Sequence, residues 1–344
     1  MENLIGAPEK KINEIFLQWG VPSYRARQVL HWLYHRGVRD FDLMTNLSKP
    51  LRARLKENFY FSLPVVRDKL PSQDGSIKYL FELEDGSAIE SVWMPSKSRR
   101  TLCLSTQVGC RLACSFCKTA TLGLKRNLTS GEIIGQIIRV NEDFSEEDKI
   151  TNIVIMGMGE PLDNYNAVVD SLSLMVSPEA MRISTRKVTL STSGLVDRIK
   201  DFQMENLHVN LAISLNATVD DVRDKIMPIN KKYPIHILLE ALRNYPLKPT
   251  RRLTFEYVLL DGINDTDEDA KRLAQLLRGI PCKINLIPFN AYFSSAYRPP
   301  PDERVFSFQN YLMSKYYSVF IRKNRGSDIL GACGQLAAQP LSCT

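Results

Sequence analysis

Hydrophobic spacing is helical over residues 7–60 and changes to strand spacing after them. Ile12, Ile15, Phe16 and Trp19 fall at i, i+3, i+4 and i+7, one face of a helix. Ser23 is placed to cap a second helix carrying Val29, Trp32 and Leu33, with Gly37 as its stop. A third is predicted over residues 49–58. Ile77, Tyr79, Phe81 and Leu83 then alternate with mostly polar neighbours, Glu84-Asp85-Gly86 reads as a hairpin turn, and 88–94 reads as the return strand. Further strands are predicted near 101–106, 150–156, 187–192, 209–215, 253–260 and 282–288, with helical patterns in most of the gaps. Between the first two, Thr129 and Glu132 make a capping box, Leu128 can staple onto Ile133, and Ile133, Ile134, Ile137 and Ile138 form a buried stripe. Successive βα units imply a parallel sheet or barrel, here of six units, short of a full barrel. The last stretch offers a helix from about residue 302, a strand at 318–323 and a tail.

This divides the α/β chain into a helical unit (1–60), a β-rich hairpin extension (61–98), a partial (β/α)6 barrel (99–300) and a C-terminal segment (301–344). A length of 344 residues suits two or three domains, and 44% hydrophobic residues is ordinary for a globular protein. No apolar run approaches the roughly 18 residues that span a bilayer. Residues 1–11 lack the apolar core of a secretory leader, so a cytoplasmic location is expected. Seven cysteines, an odd number with three of them clustered, argue against a secreted disulfide framework. The net charge of +7 fits a polyanionic partner and equally a solvated surface. The same two readings apply to the basic helix faces bearing Arg25, Arg27, His31 and Arg36, and Arg52, Arg54 and Lys56.

Chemistry enters at Cys110, Cys114 and Cys117, spaced C-x3-C-x2-C. Soft thiolates select zinc, Cu(I) or iron–sulfur clusters. A zinc site wants four ligands, and no second Cys or His pair lies nearby. Three cysteines can hold three irons of a [4Fe–4S] cube and leave the fourth open. The spacing is the signature of radical S-adenosylmethionine (SAM) enzymes, where SAM's amino and carboxylate groups chelate that iron. The bland alternative is three buried free thiols. In parallel α/β folds, ligands sit at the carboxyl ends of strands. Those ends carry Gly157-Met158-Gly159-Glu160-Pro161, Ser191-Thr192-Ser193-Gly194, Ser214-Leu215-Asn216 and Pro288-Phe289-Asn290. The glycines would let backbone approach a ligand, and Glu160 could receive an ammonium group. Singly, each motif reads as a turn or cap. Glu90, on the return strand, reads as solvent-facing. Cys103 lies in the strand that feeds the cysteine loop, and Cys333 sits among small residues that leave a nucleophilic thiol accessible. Cys282 and Cys343 acquire no role.

Together, Cys110/Cys114/Cys117, Gly157 through Leu162, Leu190 through Gly194, Arg325-Gly326-Ser327-Asp328-Ile329 and Ala332-Cys333-Gly334-Gln335-Leu336 resemble the RlmN family. The resemblance extends to Tyr24-Arg25-Ala26-Arg27-Gln28. It implies a radical-SAM methyltransferase acting on adenine C2 in 23S rRNA and tRNA, with a [4Fe–4S] cluster and two SAM molecules used in ping-pong order. By this resemblance Cys333 becomes methylated, a 5′-deoxyadenosyl radical takes a hydrogen from that methyl, and the carbon adds to C2. Glu90 maps to the base that removes the C2 proton. Cys103 maps to the thiol that forms a disulfide with Cys333 and frees the product. Gly159, Glu160, Ser191, Ser214, Leu215, Asn216 and Asn290 map to SAM contacts. Asn216 stands where the family usually has His. A flavodoxin- or ferredoxin-type reductase, a monomer and no membrane are the further expectations. Two alternatives remain: a relative that methylates adenine C8, which Pro161 disfavours because those relatives have Ala there, and an RNA-binding protein with a structural cluster.

Overall fold

The computed structural model describes residues 1–293 and 295–338; Cys343 lies outside them. The helical unit is tied off by β1 (Glu2–Asn3), which pairs in parallel with β2 (Phe59–Tyr60). Between them run α1 (Glu9–Gln18), α2 (Tyr24–Tyr34) and α3 (Lys49–Asn58). Ile12 and Phe16 of α1 and Val29 and Leu33 of α2 are buried as the spacing predicts, while Ile15, Trp19 and Trp32 are only partly so; α2 also buries Ala26 and Leu30, and α3 buries Leu51 and Leu55. Ser23 does not cap α2. Its backbone is already helical (φ −57°, ψ −33°) and its hydroxyl makes no capping bond, whereas a capping side chain works from extended backbone. Part of the basic surface is used internally: Arg25 donates to Gln28 and to the Asn46 carbonyl, Arg52 to the Asp42 carbonyl, and Lys56 pairs with Asp42. His31 and Arg36 stay exposed.

The rest is built on one sheet. β3 (Val65–Pro71), β4 (Ile77–Glu82), β5 (Ala88–Pro95) and β6 (Arg100–Cys103) run antiparallel in sequence. A separate ribbon, β7 (Gln107–Gly109) with β8 (Leu124–Asn127), follows. Then α4 (Ser130–Asn141), β9 (Asn152–Ile155), α5 (Tyr165–Val176), β10 (Val188–Thr192), α6 (Val196–Met204) and β11 (Asn210–Ser214) alternate. They are followed by α7 (Asp220–Ile226), α8 (Ile235–Arg243), β12 (Leu253–Leu259), α9 (Asp267–Leu276), β13 (Cys282–Pro288), α10 (Asp302–Ser314) and β14 (Ser318–Ile321). The order is β14-β13-β12-β11-β10-β9-β6-β5-β4-β3, an open ten-stranded sheet. From β6 to β14 all neighbours are parallel, as in a partial radical-SAM barrel.

Two features add to this outline. β14 pairs in parallel with β13, so it continues the barrel beyond the six predicted units. The antiparallel strands join the same sheet through β5 and β6, so hydrogen bonding crosses the divisions drawn at residues 98 and 300. The α4 capping box forms as predicted: Thr129 Oγ1 accepts from the Glu132 amide at 3.2 Å and the Glu132 carboxylate accepts from the Thr129 amide at 2.8 Å. One apolar core runs from Leu4 and Leu30 of the helical unit through Ile133 of α4 to Leu336. Among the described residues no helix is long and apolar enough to cross a membrane.

Candidate active site

The cysteine loop hangs between β7 and β8. Gly109 has φ +78°, and a Cβ there would overlap the Gly123 carbonyl. Glycine therefore lets the loop ends meet, where the Cys110 amide donates to Gly123 O at 2.9 Å. The Ser115 amide donates to Ile226 O at 3.0 Å and the Lys118 amide to Gly334 O at 2.7 Å, anchoring the loop to α7 and to the C-terminal segment. Cys110, Cys114 and Cys117 line one cavity. Burial pushes all three thiols up, Cys110 to about 12, and neighbouring thiols add to the effect. Such a donor set ionises only when cations occupy it. No three Cys, His, Asp or Glu side chains among the described residues converge on a single ion. The irons of a cube each take their own sulfur.

The far wall consists of strand ends, as expected. Gly159, Glu160, Ser191, Ser214, Asn216 and Asn290 all line this cavity. Leu215 does not. It is fully buried, and its carbonyl accepts from Arg223 Nε at 2.9 Å. The glycines after β9 line the cavity and also permit close packing behind it. A Cβ at Gly157 would lie 2.6 Å from Leu104 O, and one at Gly159 (φ +101°) 2.6 Å from Gln107 Cβ. Their absence lets this turn close on the segment linking β6 and β7, which delivers Glu160 to the cavity. Glu160 Oε1 accepts from the Leu162 amide at 3.1 Å and Oε2 from the Ser193 amide at 2.8 Å. Burial nevertheless pushes its pKa up.

Asn216 has φ +56°, a conformation Asn tolerates better than most residues. Its Oδ1 accepts from the Val258 amide at 2.8 Å and its Nδ2 donates to Met227 Sδ at 3.2 Å, so the side chain braces β12. Asn290 Nδ2 donates to Cys333 O at 3.0 Å. Its Oδ1 is buried with no partner among the described residues, an arrangement that suits a donor from a ligand. A thiol triad, a buried carboxylate and an orphaned acceptor facing one space fit an iron–sulfur cluster with SAM beside it.

The C-terminal segment closes this cavity. Thr119 Oγ1 donates to Leu336 O at 2.7 Å, Gln335 Nε2 to Ala291 O at 2.7 Å, and the Ala337 amide to Glu90 Oε2 at 2.9 Å. Glu90 is 4% exposed, so it does not face solvent. Its Oε1 pairs with Lys78 Nζ at 3.0 Å, and the pair is buried. Glu90 touches the segment that carries Cys333 but is not among the residues lining the cavity. Cys333, half-buried, lines both the main cavity and a smaller one shared with Cys103. Both are free thiols; the disulfide expected from the resemblance is not formed in this structure. Burial, and then the repulsion a thiolate at Cys333 would exert, push Cys103 up to about 12.

Three charged residues escaped the sequence reading. Arg223 is fully buried and donates to the carbonyls of Leu215, Ser193 and Ser214 and to Asn230 Oδ1, clamping two cavity-wall strand ends together. Its segment, Asp220-Asp221-Val222-Arg223-Asp224-Lys225, reads as a solvated helix. Arg322 pairs with Glu256 at 3.1 Å. Lys78 was legible in principle. The hairpin register sets Leu80 opposite Glu90 and Lys78 opposite Val92, which makes Lys78 the diagonal neighbour of Glu90.

Comparison with known proteins agrees with this geometry. Residues 2–61 match the ribosomal RNA large subunit methyltransferase N-terminal domain, and residues 104–275 match the radical SAM superfamily. The chain is 46% identical to the dual-specificity RNA methyltransferase RlmN of Paracoccus denitrificans, over 97% of this chain and 89% of that protein. It is 47% identical to the RlmN of Geobacter sulfurreducens, over 98% of this chain and 92% of that protein. The crystal structure of a radical SAM methyltransferase from Sphaerobacter thermophilus superimposes with a TM-score of 0.88 at 42% identity, covering 98% of this chain and 100% of that one.

Proposed function

The chain belongs to the RlmN family of radical-SAM RNA methyltransferases, and from that membership we propose that it methylates C2 of adenine in 23S rRNA and tRNA with Cys333 as methyl carrier. The observation that carries this reading is the position of Cys333, which faces the cysteine triad on one side and Cys103 on the other. Adenine C2 has no nucleophilic lone pair, so direct polar transfer from SAM does not reach it. When bound, the cluster and SAM supply the methyl group and the one-electron chemistry that opens this carbon.

Cys110, Cys114 and Cys117 would hold the cluster. Glu160, oriented by the Leu162 and Ser193 amides, would receive SAM's ammonium group, and Asn290 Oδ1 would gain the donor it lacks. Ser191 and Ser214 line the same cavity, and Arg223 holds the carbonyls of Ser214 and of Ser193. Gly159 acts by admitting Glu160, and Leu215 and Asn216 by shaping the wall. The Cys333 sulfur accepts the methyl group and links it covalently to C2, dividing one inaccessible step into accessible ones. Glu90 takes the C2 proton, its Oε2 being held by the Ala337 amide. Cys103 then forms a disulfide with Cys333 and frees the product. A flavodoxin- or ferredoxin-type reductase supplies electrons to a monomeric enzyme.

The test is product analysis by mass spectrometry from reconstituted protein, SAM, reductant and a hairpin RNA. The expected product is 2-methyladenosine. 8-Methyladenosine would overturn the C2 assignment. A fully reconstituted sample that yields no 5′-deoxyadenosine would point to an RNA-binding protein with a structural cluster.

A further inference from the structure

Arg322 is the first residue beyond β14, held in register by its own amide, which donates to Leu286 O at 2.8 Å. Its Nη1 donates to Glu256 Oε1 at 3.1 Å and approaches Met156 Sδ at 3.4 Å. Glu256 lines the main cavity, while Arg322 lines the smaller one with Cys103 and Cys333. The ion pair is therefore part of the partition between the two spaces, with its cation on the side of the thiols. A guanidinium stays charged at any working pH and offers several N–H donors in one plane. Only one of these is engaged by Glu256, so the group can also serve a thiolate.

We propose that Arg322 is a positioning residue that holds the Cys103 thiolate against the Cys333 sulfur during product release. The proposal rests on the assignment of Cys103 as the releasing thiol. In that step the Cys103 proton has left to solvent, and the thiolate attacks the Cys333 sulfur while that sulfur still carries the methylene attached to adenine C2. The S–S bond forms and the S–C bond breaks. The electron pair of the broken bond stays on carbon, which takes up a proton and becomes the methyl group. Burial opposes the thiolate this step needs. The charged groups acting on Cys103 are Cys333 from the C-terminal segment, Arg322 from the end of β14 and Glu256 from β12. Lys323 and Arg325 line the same small cavity. Among these cations, Arg322 has the leading lowering effect on the thiol.

Arg322→Gln alone leaves Glu256 buried without its partner, so the test uses Arg322→Lys and the charge-balanced Arg322→Gln/Glu256→Gln pair. Each is assayed in reconstituted enzyme with SAM and a hairpin RNA. In the double variant, an RNA adduct on Cys333 should accumulate, with release slowed about tenfold at neutral pH and recovering as pH rises. That factor corresponds to roughly one unit in thiol pKa, net of the opposing effect of Glu256 that the double variant also removes. Arg322→Lys should restore most of the rate. Independently of turnover, the iodoacetamide alkylation profile of Cys103 in cluster-loaded enzyme without SAM, followed by peptide mass spectrometry, should shift to higher pH in the double variant. Unchanged release and an unchanged alkylation profile would overturn the inference. So would a lysine variant as slow as the double one with a wild-type alkylation profile, since Arg322 would then act only in packing. Wild-type enzyme that never forms an adduct would fail one step earlier and remove the underlying assignment.

Discussion

Glu90 and Lys78 show how one pair of side chains ties stability to chemistry. Both are buried, and each neutralises the other. Removing one partner of such a pair leaves an uncompensated buried charge. Lys78→Met is expected to destabilise the cofactor-free protein by about 3 kcal/mol, measured by urea denaturation. Glu90→Gln is expected to slow formation of 2-methyladenosine while leaving methylation of Cys333 intact, read from the mass of the Cys333 peptide. Loss of that methylation would mean the substitution acts on folding or cofactor binding. The two thiols divide differently. Cys333→Ala should abolish transfer because no carrier remains, and Cys103→Ala should leave RNA covalently attached to Cys333, visible by gel shift. Normal turnover by either variant would refute its assigned role.

The element that sets the position of Cys333 is the segment from Arg325 to Leu330, latched to the β3–β4 turn. Asp328 accepts from Ser72 Oγ at 2.5 Å and from the Gln73 amide at 3.0 Å, while Asp74 accepts from the Gly326 amide at 3.1 Å. Gly326 (φ +63°) and Leu330 (φ +51°) both take left-handed backbone, a strain that Leu adopts only when its surroundings impose it. Asp328 is held low by the Ser72 hydroxyl and the Gln73 amide. Burial works to raise Asp74, but hydrogen bonds from Ser76 and Gly326 outweigh it and hold it low too. Depressed carboxylates contribute their stabilisation above the unfolded value and lose it as pH falls through the folded one. The latch should therefore hold unchanged from pH 8 to 5 and open only below about 4. Hydrogen exchange at the Gly331 amide, corrected for intrinsic rate, checks this. Asp328→Ala should speed that exchange and lower Cys333 methylation already at neutral pH.

Across the whole molecule, the helical unit and the barrel share one core, and at Gly6 they meet backbone to backbone. Gly6 (φ +88°) rests on Gly131, and a Cβ there would overlap the Gly131 backbone. Gly86 (φ +74°), in the β4–β5 turn, has nothing among the described residues within 4 Å of the same added atom. Alanine at Gly86 should cost about 1 kcal/mol, the strain of left-handed backbone alone. Alanine at Gly6 should cost more than twice that, because neither backbone can yield. Chemical denaturation of the two variants makes the comparison, and equal losses would mean that the units are not rigidly docked. Arg39 pairs with Glu142 at 2.6 Å across the same junction, but an exposed pair adds little.

Periodicity and spacing were enough for the elements and for the cluster motif, because helices, hairpins and cysteine loops are set by neighbours a few residues apart. The three helices, the Glu84-Asp85-Gly86 hairpin, the capping box at Thr129 and the run of parallel strands all read directly. Resemblance to a family added the roles of Cys333, Cys103 and Glu90, which spacing alone could not supply. Tertiary structure decided what depends on contacts between residues far apart in the chain. It buried Glu90 against Lys78, spent the Asn216 amide on β12 and withdrew Leu215 from the cavity. It also carried β14 into the barrel sheet and set Arg322 beside the two thiols. A charged residue on a helix or at a strand end looks the same in sequence whether it faces water or a cavity. Burial, which fixes its partner and its protonation, exists only once the sheet has brought those ends together. The cysteine loop is local in sequence; the site around it is assembled by the fold.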